Sequence, residues 1–180
     1  PIYNKVWKWH LALNLAHNEN ELKALPNGMT EMTLNNRELQ VGEAVDKTIP
    51  FLPSLTGGLH SSLCWKNFDL GVGFYFATGQ KVLNADSGME RKALDYFMPT
   101  EDLSKGTLES ASFLKLRDVS LGYNFKLKKQ LLYVYGSAAN LFTITGFSGE
   151  DPELVDFDGV YRGYGIKIPR TFTVGCKLSF

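Results

Sequence analysis

The sequence has almost no electrostatic bias: its 180 residues carry 19 basic and 19 acidic side chains, a formal net charge of zero. Without a basic surplus or a run of like charge, it offers no footprint for nucleic acid and no polybasic grip on an anionic lipid surface. Cysteine is scarce. Cys64 and Cys176 are too few for a disulfide scaffold, and their spacing fits no zinc motif. Histidine is equally thin, with His10, His17 and His60 scattered along the chain. No catalytic constellation is visible: Ser61 and Ser62 beside His60 lack a base placed by the fold and a third group to orient it. Catalytic, cofactor-binding and metal-ligating residues are therefore expected to be absent. The chain opens Pro1-Ile2-Tyr3, with neither an initiator Met nor a signal segment, which suggests a processed or truncated start. A membrane-spanning helix is also missing. Residues 131–149 are uncharged and long enough, but their Gly, Ser, Thr, Asn, β-branched and aromatic content suits a strand entering a loop.

What the chain does have is aromatic residues, 13% of the total, and a clean period of two. In residues 68–78, Phe68, Leu70, Val72, Phe74 and Phe76 share one strand face, with Asp69, Gly71, Gly73 and Tyr75 on the other. Residues 7–15 set Trp7, Trp9, Leu11, Leu13 and Leu15 against Lys8, His10, Ala12 and Asn14. Residues 59–65 set Leu59, Leu63 and Trp65 against His60, Ser62 and Cys64, and Ser61 is the one polar exception on the apolar face. Val119, Leu121, Tyr123 and Phe125 oppose Ser120, Gly122 and Asn124. The last segment sets Phe172, Val174, Cys176, Leu178 and Phe180 against Thr173, Gly175, Lys177 and Ser179. A sixth strand near 131–143 has ambiguous parity, because Leu131, Tyr133 and Tyr135 compete with Leu132, Val134 and Phe142. Between Leu114/Leu116 and Val119/Leu121 the phase slips by one, which a bulge near Arg117 and Asp118 would explain.

Two environments could absorb such a face: the inside of a soluble β-sandwich, or lipid around a barrel. Expected strands near 3–16, 57–66, 68–78, 112–125, 131–143 and 170–180 leave long connections at 17–56, 79–111 and 144–169 and short ones between. Sandwiches have no such bias, whereas outer-membrane barrels have tight turns at one end and long loops at the other. Aromatics also sort by depth. Trp7, Trp9, Trp65, Phe68, Tyr123, Phe125, Tyr133 and Phe180 fall toward the short turns, aliphatics fall in the middle, and Phe74, Phe76, Phe142 and Phe172 fall toward the long loops. Two girdles around an aliphatic band are the mark of a membrane wall. The expected fold is all-β: a transmembrane antiparallel β-barrel to which this chain contributes about six strands. Six cannot close, since unpaired backbone groups in hydrocarbon cost several kcal/mol each. Either the wall continues in a larger protein, or residues 17–56 hide two strands of a small eight-stranded barrel. The poor alternation of Leu39, Val41, Glu43 and Val45 favours the first.

Four segments, in this order, carry a family resemblance: ASFLKLRDVSLGYNF (111–125), Asn140-Leu141-Phe142-Thr143-Ile144-Thr145, FSGEDPEL (147–154) and PRTFTVGCKLSF (169–180). They resemble the SusC/RagA family of TonB-dependent outer-membrane transporters of Bacteroidetes, and PSLTGGLHSSLCWKNFDLGVGF (53–74) looks like that family's preceding hairpin. The resemblance implies a barrel of about 22 strands of which residues 1–180 form the carboxyl-terminal part. It further implies an amino-terminal plug and a TonB-contacting region outside this chain. A SusD-like surface lipoprotein would be the partner, and oligosaccharides or peptides the cargo. The family commonly has an aromatic where Glu150 sits and a Trp-bearing segment where this chain reads ALDYFMP (93–99).

Residues are assigned on that basis. Phe172, Val174, Leu178 and Phe180, on an alternating strand that closes the chain, resemble the signal read by the barrel-insertion machinery. Asn14, His60, Asp69, Tyr75, Asn124 and Lys177 fall on the polar face, where they could touch cargo. Asp151, Glu153, Asp156 and Asp158 make a calcium site in loop 150–159 conceivable, against a solvated turn held by local Asp hydrogen bonds. Two rivals remain: a soluble carbohydrate-binding β-sandwich using its Trp residues as sugar platforms, and a small outer-membrane barrel enzyme with lumen-rim carboxylates.

Overall fold

The fold is described from a computed structural model, covering residues 2–3, 6–34, 37–85, 106–128, 130–163 and 168–180. Among the described residues twelve strands form in chain order: β1 (Ile2–Tyr3), β2 (Trp7–His17), β3 (Glu31–Leu34), β4 (Arg37–Gln40), β5 (Leu55–Trp65), β6 (Phe68–Thr78), β7 (Lys81–Asn84), β8 (Thr107–Ser110), β9 (Phe113–Leu127), β10 (Gln130–Thr145), β11 (Val160–Tyr161) and β12 (Thr171–Ser179). Seven make one antiparallel sheet in the order β1-β2-β5-β6-β9-β10-β12. This is a meander, and its parity is fixed by register: Trp7 pairs with Trp65 and Trp65 with Phe68, so one apolar row crosses three strands. Rows Leu13–Leu59–Phe74 and Leu63–Leu70–Leu121 repeat the pattern.

The stripe is uncovered. Leu13 is 63%, Phe172 71% and Val174 84% exposed, and among the described residues no second sheet packs over that face. A soluble sandwich buries its inner faces against each other, so the sandwich reading fails on this geometry. The small-barrel reading fails too. Residues 17–56 do contain a hairpin, β3–β4, but it forms its own two-stranded sheet and adds nothing to the wall. Among the described residues the wall stays open, running from β1 to β12.

Two expectations need correction. The strand near 3–16 is two strands: Ile2 pairs back onto Trp9 and Tyr3 onto Lys8, so the chain reverses before β2 starts at Trp7. Tyr133 is not a girdle aromatic. Register places Leu132 opposite Phe125 and Leu178, and Val134 opposite Tyr123 and Cys176, on the outer face; Tyr133 and Tyr135 lie opposite Asn124 and Gly122, on the inner one. Sequence parity was ambiguous here because the outer face of β10 carries Gly136 and Ala138 where aliphatics would have signalled it.

The expected phase slip is a double bulge. Asp118 pairs with Gly73 and Leu116 with Phe74, leaving Arg117 without an opposite residue on β6. On the other side β10 skips from Ala139 to Phe142, with Asn140 at φ 55°. Short turns join β5 to β6 and β9 to β10, and all three long connections leave from the opposite end. There they build a rim. β7, β8 and β11 form a three-stranded sheet, β11 running parallel to β7. A buried apolar cluster lies in this rim: Val82, Ala111, Phe147 and Tyr161, with Phe51, Leu154 and Val155 packed on it.

Candidate functional site

The polar face of the wall and the rim above it are where chemistry can meet a solute. All six sequence-assigned residues share that face. Asn14 opposes Gly58, Gly58 opposes Tyr75, and Tyr75 opposes Lys115, so one row crosses four strands near the rim. Nearer the short turns Lys177 opposes Tyr133, which opposes Asn124, and the Asn124 amide donates to Asp69 Oδ2 at 3.1 Å. His60 lies between the two groups, opposite Ala12 and Gly73. Of the six, Asp69 and Asn124 are hydrogen-bonded to each other.

Glycine keeps this face low. A Cβ at Gly122 would collide with the Tyr133 ring, and one at Gly175 with Tyr135; both phenols lie across the neighbouring strand, their rings stacked 5.7 Å apart. Gly73 receives the Asp118 carboxylate in the same way. Each polar side chain thus finds a bed in the adjacent strand.

Sequence reasoning missed the charged group at the top of the face. Arg117 lies over the Tyr75 ring, its guanidinium carbon 4.8 Å from the centroid. Lys115 is 2% exposed at its side chain, and its Nζ meets Asp151 Oδ2 at 3.2 Å and Oδ1 at 3.4 Å while also contacting Glu153 Oε2. A buried ammonium is tolerable only when paired and hydrogen-bonded. Here the wall supplies the cation and the FSGEDPEL segment both anions, so Lys115 latches that segment onto β9.

Other polar contacts fix the same segment. The Ser148 N–H and Oγ donate to Glu109, at 2.9 and 2.7 Å, and Asn84 donates to both Glu109 and Ser148. Burial works to raise the Glu109 carboxyl, but the hydrogen bonds from Ser148 and Asn84 outweigh it and hold the group below its ordinary value. Glu150 N–H donates to Tyr161 Oη at 3.0 Å. Asp156 and Asp158 of the same loop turn to Arg162, which meets them at 2.6 Å and 2.7 Å. All four acidic side chains considered for calcium thus lie against a cation of the chain, and among the described residues no cluster of three metal-ligating groups forms.

Phe172, Val174, Leu178 and Phe180 lie at one margin of the wall, β12 pairing with β10 on one side and with no described strand on the other. Cys64 and Cys176 are free and sit on opposite faces, opposite Asp69 and Val134. Residues 93–99 lie outside the described residues.

No family model matches the chain. A curated TonB-dependent receptor P3 from Formosa agariphila is 28% identical, covering 71% of this chain and 16% of the receptor. Among solved structures, the RagAB peptide importer in its open-open state superposes with a TM-score of 0.77 at 22% identity, covering 99% of this chain and 27% of that one. A second structure, of the RagAB peptide transporter, gives 0.74 at 19% identity, with 99% and 28% covered. The chain therefore spans about a sixth of its curated relative and just over a quarter of the solved chains. An uncovered apolar face, long connections gathered at one end, and agreement along nearly the whole length converge: the chain has the fold of a stretch of that outer-membrane β-barrel wall, and its sequence is similar to that of a TonB-dependent receptor.

Proposed function

We propose that this chain forms part of the wall and outer rim of an importer of peptides or oligosaccharides, working beneath a SusD-like surface lipoprotein and energised through TonB by a region outside these residues. The observation that carries the reading is the division of the sheet into an exposed apolar face and a polar face, the latter capped at one end by a rim latched through Lys115. Likeness to the RagAB peptide importer supports peptides as the first cargo to try. The chain's part is conformational and needs no bond chemistry. Asn14, His60, Asp69, Tyr75, Asn124 and Lys177 supply hydrogen-bonding and aromatic contacts to cargo in transit. The latched FSGEDPEL segment gives the lipoprotein a fixed surface to meet, because a strap held to the wall loses little entropy on docking. Phe172, Val174, Leu178 and Phe180 present the terminal strand to the insertion machinery, whose handle is an open edge.

The test is uptake by cells with and without the full-length receptor. Fluorescent peptides should enter only when the receptor, its lipoprotein and a proton gradient are all present, with labelled oligosaccharides as the alternative cargo. Uptake of both that is indifferent to loss of the receptor would overturn the proposal.

A further inference from the structure

Ser61 interrupts an otherwise apolar field on the outer face. The rows around it read Trp9–Leu63–Leu70 below, Leu11–Ser61–Val72 at its level, and Leu13–Leu59–Phe74 above. A residue this short, where its strand neighbours carry Leu, leaves a notch of about 330 Å³ lined by Trp7, Trp9, Ser61, Leu63, Leu70 and Val72. The hydroxyl does not need water there, because Trp9 Nε1 donates to Ser61 Oγ at 2.9 Å. A polar group so engaged can face hydrocarbon at little cost. The notch is therefore an oily recess with its one polar lining atom already partnered, continuous with the membrane-facing stripe.

A cation stands at its lower end. Trp7 and Trp65 pair at the margin of the field, and the next residue, Lys66, begins the short turn. Its backbone is fixed at φ 54° with its N–H donating to Val6 O at 3.1 Å, and its ammonium lies 4.9 Å from the centre of the Trp65 ring. An aromatic girdle marks the depth of the headgroups, so this ammonium sits where a lipid phosphate lies.

We propose that the outer face of β2, β5 and β6 is a phospholipid site, one acyl chain lodged in the notch beside Ser61 and the phosphate paired with Lys66. Dispersion contacts with a shaped recess, rather than any hydrophobic drive, hold the chain there, since competing lipid is equally apolar. The site depends on the membrane placement of the wall and not on what the receptor imports.

Native mass spectrometry of the full-length receptor, released from nanodiscs of dioleoylphosphatidylethanolamine with a minor share of dioleoylphosphatidylglycerol, tests it. The wild type should keep a phospholipid adduct through detergent activation. Ser61→Leu, which fills the recess with a residue suited to the face, should lower its occupancy roughly tenfold. Ser61→Ala keeps the recess and should retain the adduct, while Lys66→Gln should weaken retention of either lipid. Heat-modifiability on cold gels confirms that each variant is folded, and Val72→Phe closes the recess from the other side if Ser61→Leu does not fold. Equal adduct retention in the wild type and the filled variants would refute the site. Uptake is not read, so a failed importer reading would leave this result standing.

Discussion

The wall and the rim place their apolar side chains in opposite ways. In the wall, Leu13, Phe172 and Val174 stand open and the polar residues turn to the other face. In the rim, Val82, Ala111 and Tyr161 are almost fully covered, and buried polar groups such as Asn84 and Asp151 are held by named partners. One follows the logic of hydrocarbon as solvent, the other that of water. The difference teaches that exposure of a large apolar residue has no meaning until the surroundings are known. The same sequence carries two solvents' worth of patterning within a few residues: on β9, Leu114 is exposed and Lys115 buried.

Removing the latch should distinguish the two regions most strongly. Lys115→Met leaves Asp151 and Glu153 without their buried partner, and breaking such a pair by removing one member costs about 3–5 kcal/mol. Limited proteolysis of the full-length receptor should then cut within 147–163 while the wall keeps its heat-modifiable mobility. If the wall melts with the strap, the two regions are one cooperative unit and the division drawn above is wrong.

Next in size is the outer stripe. Leu13→Lys puts a cation on the membrane face, at about 2–4 kcal/mol near the bilayer midplane, whereas the adjacent Asn14→Lys places it on the polar face at little cost. Denaturant titration of the receptor folded into vesicles should show this contrast between neighbouring positions. Equal losses at both would invert or abolish the assigned facing.

Acid should produce the smallest effect, confined to the rim. Glu109 has its carboxyl held below the ordinary value in the folded protein. It therefore adds stability that is present above the unfolded value of 4.5 and is lost as pH falls through the lower folded one. Hydrogen exchange at Ser148, measured against the slower intrinsic rate in acid, should show an excess on going from about pH 5 to pH 3. Glu109→Gln should remove that excess, and exchange in β5 and β6 should not share it.

The wall was readable because alternation is local: each position declares its face through its two neighbours, and five strands agree. β10 was not, since its outer face is lined partly by Gly136 and Ala138 and its inner face by Tyr133 and Tyr135; only pairing with β9 resolves it. The rim was illegible for another reason. Its strands run to four residues or fewer, too short for a period to show, and β7 pairs with β8 and β11 from distant parts of the chain. Lys115 looked like one more strand lysine, because both of its partners lie more than thirty residues on. The reversal ahead of Trp7 was hidden because neither Gly nor Pro stands between Tyr3 and Trp7 to mark a turn.

The extra residue in β9 decides which charges touch oil. Counting back from Val119 in steps of two reaches Arg117 and then Lys115, so an unbroken ribbon would aim both cations at the fatty acids and turn Leu114 and Leu116 toward the channel. One inserted amino acid resets the count, sending the leucines outward opposite Phe76 and Phe74 and the two bases inward with Tyr75. Deleting Arg117 would therefore leave a regular ribbon with the same sidedness, whereas pairing it as an ordinary strand residue would exchange the sidedness of the whole upper segment.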